Sequence, residues 1–197
     1  MFNITPVVKN LLIINVAVFI AQSLLSQFYI TEYLALWSIG TNFFRPYQLF
    51  TYMFAHVDIW HILFNMLGLV LAGPILESFW GQKRFLLFYI ITGLGAGAIK
   101  LVIDYYFHEI SRMVGASGAI YGVITAFGII FPNMEVRLWF PPISLKAKAL
   151  LFIMGAMAIY SVVMPSAGDK VAHIAHLGGI VIALIILQFW KQGGSYR

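Results

Sequence analysis

None of the 197 residues is a cysteine, which excludes disulfide staples, thiolate nucleophiles and cysteine-ligated metal. Charge is also scarce. Asp, Glu, Lys and Arg make up 10% of the chain, against about 25% in a typical soluble domain. Twelve Lys and Arg against seven Asp and Glu leave a net charge of +5. No basic run is long enough to follow a phosphate backbone, so nucleic acid is not an expected partner. What remains is apolar: 61% of residues are hydrophobic and the mean hydropathy is +0.91. There is room for about six helical spans with short connections, and none for a second, water-soluble domain. The expected fold is an all-α membrane protein with the lipid bilayer as solvent.

Six apolar segments fall at about 8–27, 58–79, 84–104, 115–131, 147–164 and 171–190, each near the roughly 20 residues that cross hydrocarbon. They define one transmembrane domain over residues 1–197. The first follows Lys9 and has the look of a signal peptide, but it lacks a small-x-small cleavage site and runs on through Leu25, so a retained span is expected. Most connections carry turn signals: Gly81-Gln82-Lys83-Arg84, Pro132-Asn133, Pro141-Pro142 and Pro165–Asp169. Residues 28–57 are different, being long, aromatic and mostly apolar. A structureless loop of that length is uncommon, so short helices in the membrane interface are expected there.

Orientation follows from charge. With the N-terminus cytoplasmic, the inner side collects Lys9, Lys83, Arg84, Arg137, Lys146, Lys148, Lys191 and Arg197, while Arg45, Lys100, Arg112 and Lys170 fall outside. The imbalance places both termini in the cytoplasm. The second, fourth and sixth segments then start at the outer side. At about 1.5 Å per residue, Ser117 lies ~8 Å below Arg112, His176 ~9 Å below Lys170, and His61 and Asn65 ~5–10 Å below Asp58. Four polar side chains from three parallel helices therefore share one level, where hydrocarbon gives them little reason to be.

The residues at that level carry chemistry. Ser117 sits in Gly115-Ala116-Ser117-Gly118, whose small neighbours let backbone approach a substrate, and a helix start there would aim free N–H groups at a developing oxyanion. The same motif also reads as packing, since Gly118 and Gly122 have the small-residue spacing of membrane helix contacts. His176, Gly179 and Ala183 share one helical face, so that helix can press against the glycine-rich fourth span and bring imidazole to the serine; a plain packing face is the alternative. His61 and Asn65, four residues apart, project from one face and can both donate hydrogen bonds, or simply form a polar seam. Tyr121 shares the face of Ser117. His173, one turn above His176, reads as solvated or structural.

Taken together these residues resemble the rhomboid family of intramembrane serine proteases. Gly115-Ala116-Ser117-Gly118 matches the family's G-x-S-G, and Tyr121 its following tyrosine. His61-Ile62-Leu63-Phe64-Asn65 matches H-x-x-x-N, and Ala175-His176-Leu177-Gly178-Gly179 matches A-H-x-x-G, including Gly179. The resemblance covers nearly the whole chain and is closest to a minimal six-span bacterial form. It implies that Ser117 is the nucleophile and His176 the general base, with His61, Asn65 and the Ser117 N–H binding the oxyanion. It further implies that Tyr121 holds the His176 ring, while His56 and Glu77, the latter followed by Gly81, are structural. Asp169 is given no triad role. The sequence departs from the family pattern at Gln48, where many members carry an arginine in the long first connection.

The function so implied is cleavage of single-span membrane proteins near the outer face, with no cofactor and no metal. The fifth span and the loop with Pro165 and Gly168 are its candidate gate. A bacterial inner membrane is the expected location. Two rivals stand beside this reading. A proteolytically silent relative would bind membrane clients, and a histidine-lined metal transporter would use His56, His61, His173 and His176.

Overall fold

The computed structural model describes residues 4–137, 144–164 and 170–192, with side chains throughout except at 170–173 and 192. In chain order the elements are α1 (Pro6–Leu24), α2 (Ile30–Leu34), the two-residue strand β1 (Leu36–Trp37), the single turn α3 (Gln48–Thr51), α4 (Ile59–Trp80) and α5 (Gln82–Phe107). They continue with β2 (Arg112–Met113), α6 (Ser117–Ile130), β3 (Glu135–Arg137), β4 (Ser144–Lys146), α7 (Ala147–Val163) and α8 (Lys170–Gln192). Each of the six apolar segments is occupied by a helix. Four of these, α1, α4, α5 and Ile174–Lys191 of α8, are long and apolar enough to cross a membrane, whereas α6 and α7 are apolar but shorter.

α6 has 14 residues, about 21 Å at 1.5 Å per residue, against roughly 30 Å of hydrocarbon. It can be short because it touches α4, α5, α7 and α8 and is buried continuously from Gly122 to Gly128, so protein rather than lipid surrounds it. Its first residue consequently lies inside the bundle, not at its rim.

The start of α1 is held by a carboxylate. Pro6 opens the helix, where its missing N–H costs nothing. The next donors are satisfied by Glu77, buried near the end of α4: Val7 N donates to Oε1 and Val8 N to Oε2, both at 3.0 Å, and Thr5 Oγ1 donates to Oε2 as well. An anion at a helix N-terminus is favoured by the helix dipole. One turn later Gly81, at φ +80°, is the only residue between α4 and α5, and its N–H donates to the Glu77 carbonyl at 2.8 Å.

The long connection between α1 and α4 is folded, with 3₁₀ turns at Ser26–Phe28 and Tyr52–Phe54 besides α2, β1 and α3. Gln48 is 1% exposed and anchors the connection to itself. Its Oε1 accepts from Arg45 N at 3.0 Å and Trp37 N at 3.4 Å, and its Nε2 donates to Phe43 O at 3.0 Å and Tyr33 O at 3.4 Å. Gln22 of α1 ties the far end, donating to His56 O at 3.2 Å and accepting from His56 N at 3.1 Å.

Two expectations are corrected. Lys100 is not an outer loop charge. α5 continues to Phe107, and Lys100 is fully buried within it, paired with Asp104 at 2.6 Å. The fold is also not purely helical: β1 pairs antiparallel with β2, and β3 with β4, the latter ribbon following the turn at Pro132-Asn133. Pro141-Pro142 and the loop from Pro165 to Asp169 lie outside the described residues.

Replacing Glu77 by Ala should strip α1 of its first-turn acceptor and lower stability by about 2–3 kcal/mol, read as a fall in melting temperature in detergent. Glu77→Gln, which keeps one acceptor, should lose less.

Candidate active site

α6 begins at Ser117, directly after the turn that Gly115 makes at φ +120°. A Cβ on Gly115 would lie 2.6 Å from His61 Nε2 and 3.8 Å from Ser117 Oγ. Glycine is thus required there both for backbone conformation and for the imidazole beside it. As the first helical residue, Ser117 has a backbone N–H outside the intrahelical ladder.

His176 reaches the serine because α8 and α6 approach at glycine. A Cβ on Gly179 would stand 2.0 Å from the Gly118 carbonyl oxygen, and one on Gly122 would stand 3.3 Å from the Gly179 oxygen and 2.1 Å from Thr92 Cγ2. Only backbones without side chains come this close. Ala183, on the same face of α8, is fully buried. The result is a His176 Nε2 to Ser117 Oγ distance of 2.8 Å. The Tyr121 ring lies flat on the imidazole, with centroids 4.3 Å apart and planes within 7°, which fixes the plane in which that nitrogen points.

α4 supplies the facing wall. Asp58 caps it by accepting from His61 N at 2.8 Å. Asn65 is buried and donates from Nδ2 to the His61 carbonyl at 2.8 Å, which commits one of its two amide hydrogens and leaves the other to give. His61, Asn65, Ser117, Tyr121 and His176 line one cavity of about 450 Å³, whose remaining lining is apolar and includes Met154 and Met157 of α7. A hydroxyl against a ring nitrogen, with hydrogen-bond donors around it and an apolar trough beside it, can attack a carbonyl and stabilise the oxyanion that forms.

His56 is not among the residues lining that cavity. It is 2% exposed and meets His61 edge-on at 5.0 Å. Burial, with His61 beside it, pushes its pKa down from 6.5 to about 4, so it remains neutral and uncharged next to the site. The side chain of His173 and the whole of Asp169 lie outside the described residues.

Some contributors carry no local sequence signal. The Tyr52 carbonyl accepts from Gly115 N at 2.9 Å, and the Tyr52 hydroxyl donates to the Gly93 carbonyl at 2.7 Å. Tyr52 thereby ties the serine turn to α5, and burial pushes its phenol pKa well up. Among ten tyrosines nothing in the sequence distinguishes it. Gln22 and Gln48, isolated amides among apolar residues, do carry a signal: a buried amide is retained where it has backbone to bind.

A bundle of apolar helices with a serine and a histidine hydrogen-bonded inside it defines an integral membrane protein with a polar cluster at its centre. The chain belongs to the rhomboid family, its residues 43–191 matching the Rhomboid domain. It is 31% identical over 154 residues to Rhomboid protease AarA of Providencia stuartii, covering 70% of this chain and 53% of that protein. It is 28% identical over 146 residues to the putative rhomboid protease YdcA of Bacillus subtilis, covering 72% and 68%. It is also 27% identical over 149 residues to inactive rhomboid-related protein 2 of Caenorhabditis elegans, covering 76% and 42%. The chain spans between a third and about half of the length of several curated relatives it matches. Rhomboid proteases are intramembrane serine proteases, and the family also includes inactive members.

Gly179→Val should force α8 away from the Gly118 carbonyl and lower the melting temperature. For His56 the folded chain holds its pKa below the unfolded value, so unfolding takes up a proton between about pH 6.5 and 4. Stability should fall as pH drops through that window, by up to about 3 kcal/mol, and less in His56→Leu; melting curves across the range check this.

Proposed function

We propose that this chain is an intramembrane serine endopeptidase working through a Ser117–His176 dyad. The observation that carries the reading is the 2.8 Å contact between His176 Nε2 and Ser117 Oγ under the stacked Tyr121 ring. Ser117 attacks the scissile carbonyl as His176 takes its proton. His176 returns that proton to the leaving amine, and water then hydrolyses the acyl-enzyme with His176 again as base. His61, Asn65 and the Ser117 N–H stabilise the tetrahedral oxyanion. Gly115, Gly118 and Gly179 allow the close approach, and His56 and Glu77 serve the fold.

The substrates are single-span membrane proteins, cut near the outer face. A segment must unwind before its backbone reaches Ser117, and small or helix-breaking residues near the cut lower that cost. With Lys100 removed from the outer count, eight basic residues (Lys9, Lys83, Arg84, Arg137, Lys146, Lys148, Lys191 and Arg197) face Arg45, Arg112 and Lys170. That bias supports cytoplasmic termini in a bacterial inner membrane.

The silent reading is disfavoured because serine and histidine are both present and hydrogen-bonded. The transporter reading is disfavoured because among the described residues no three His, Cys, Asp or Glu side chains converge, while His176 is engaged with Ser117.

Wild-type protein in liposomes should cleave a tagged single-span reporter, and Ser117→Ala and His176→Ala should not. Asn65→Ala should lose turnover by up to about 10²–10³. Turnover should fall on acidification, because a protonated His176 cannot accept the serine proton. Cleavage by Ser117→Ala equal to wild type would overturn the assignment.

A further inference from the structure

Lys100 and Asp104 lie one turn apart at the outer end of α5, 0% and 2% exposed. Neither faces the cavity that holds Ser117. An ionisable pair this far into an apolar helix calls for a function, because burying both charges costs several kcal/mol per ion and an apolar pair of similar volume is often as stable or more so.

What the pair holds is visible in its partners. Lys100 Nζ reaches the Leu36 carbonyl at 3.2 Å on β1 and the Ser111 carbonyl at 3.3 Å just before β2, besides Ser38 Oγ at 3.4 Å. Asp104 Oδ2 accepts from Ser38 Oγ at 2.5 Å and from Ser111 Oγ at 2.9 Å. Ser38 and Ser111 also bind each other: Ser38 N donates to the Ser111 carbonyl at 3.1 Å, and Ser111 N to Ser38 Oγ at 2.9 Å. Both charges thus converge on one end of the β1–β2 pair, where the chain leaves β1 at Ser38 and enters β2 after Ser111.

That pair is only two residues long on each side, Leu36 opposite Met113 and Trp37 opposite Arg112. So short a ribbon cannot hold its own register, and a slip of one residue would turn buried Leu36 and Met113 outward. Ser117 follows Met113 by four residues, with the Gly115 N to Tyr52 O bond as the tie between them.

We infer that the buried Lys100–Asp104 pair is a positioning device for the nucleophile. It locks the register of β1 on β2 and so fixes where the Gly115 turn delivers Ser117 relative to His176. This rests on the protease reading above. Lys100 and Asp104 are positioning residues, since neither touches the reacting atoms. A merely structural pair would change stability, whereas a positioning pair changes turnover at constant stability, because misplacement by about 1 Å can cost on the order of 100-fold.

The test is the double variant Lys100→Met/Asp104→Leu in the full chain, which removes both charges at similar volume. The expected result is a melting temperature within a few degrees of wild type and kcat for the reporter reduced 10- to 100-fold. KM should stay within about twofold, and amide exchange at Ser38, Ser111 and Gly115 should be at least 10-fold faster. Wild-type kcat and wild-type exchange in the folded double variant would overturn the inference. If that variant does not fold, Ser38→Ala/Ser111→Ala cuts the hydroxyl links and leaves the ion pair in place. It should lower kcat 3- to 10-fold, and unchanged turnover would again overturn the inference. If wild-type protein itself neither cleaves nor takes up fluorophosphonate, the protease reading fails separately. Amide exchange then decides the register lock alone: faster exchange in the variant upholds it, and unchanged exchange overturns it.

Discussion

The approach of α8 to α6 at Gly179 and Gly118 is the constraint on which the rest of the site depends. A serine and a histidine 59 residues apart in sequence come within a hydrogen bond only because two backbones meet with nothing between them. In lipid this contact has no hydrophobic driving force of its own, since hydrocarbon solvates apolar side chains as well as a neighbouring helix does. Close packing and interhelical polar contacts must supply the attraction. Every other feature of the site follows from that geometry. Tyr121, one turn below Ser117, faces the imidazole because the helices are that close, and α4 is left to form the opposite wall.

The second organising element is the connection between α1 and α4. It is held by amides as well as by apolar packing. Gln22 binds the backbone of residue 56, and Gln48 binds four backbone groups of its own segment. Irregular backbone packed against apolar helices is kept where its polar groups find partners, and these side chains provide them.

Much of this was legible in the sequence. Long apolar runs gave the helices to within a few residues, because crossing hydrocarbon demands both length and composition. The shared level of His61, Asn65, Ser117 and His176 followed from counting residues along parallel helices. The buried position of Lys100 was not legible from counting, since a lysine near a helix end reads as a loop charge. The telling sign was Asp104 four residues on, the spacing of an intrahelical ion pair. The two short ribbons were illegible because strands of two or three residues have no period. Tyr52 was illegible because its contribution is largely a carbonyl, which every residue has.

α7 stands apart from the other helices. Its only buried side chains are Ala147 and Ala158, while Phe152, Met157, Ile159 and Tyr160 are all more than half exposed. It nevertheless supplies Met154 and Met157 to the cavity wall. Lipid tails, not protein, therefore solvate most of this helix, while its contacts with α6 and α8 hold it against the bundle. Two methionines of this lipid-facing helix, Met154 and Met157, thus stand between the bilayer and the cavity that holds Ser117.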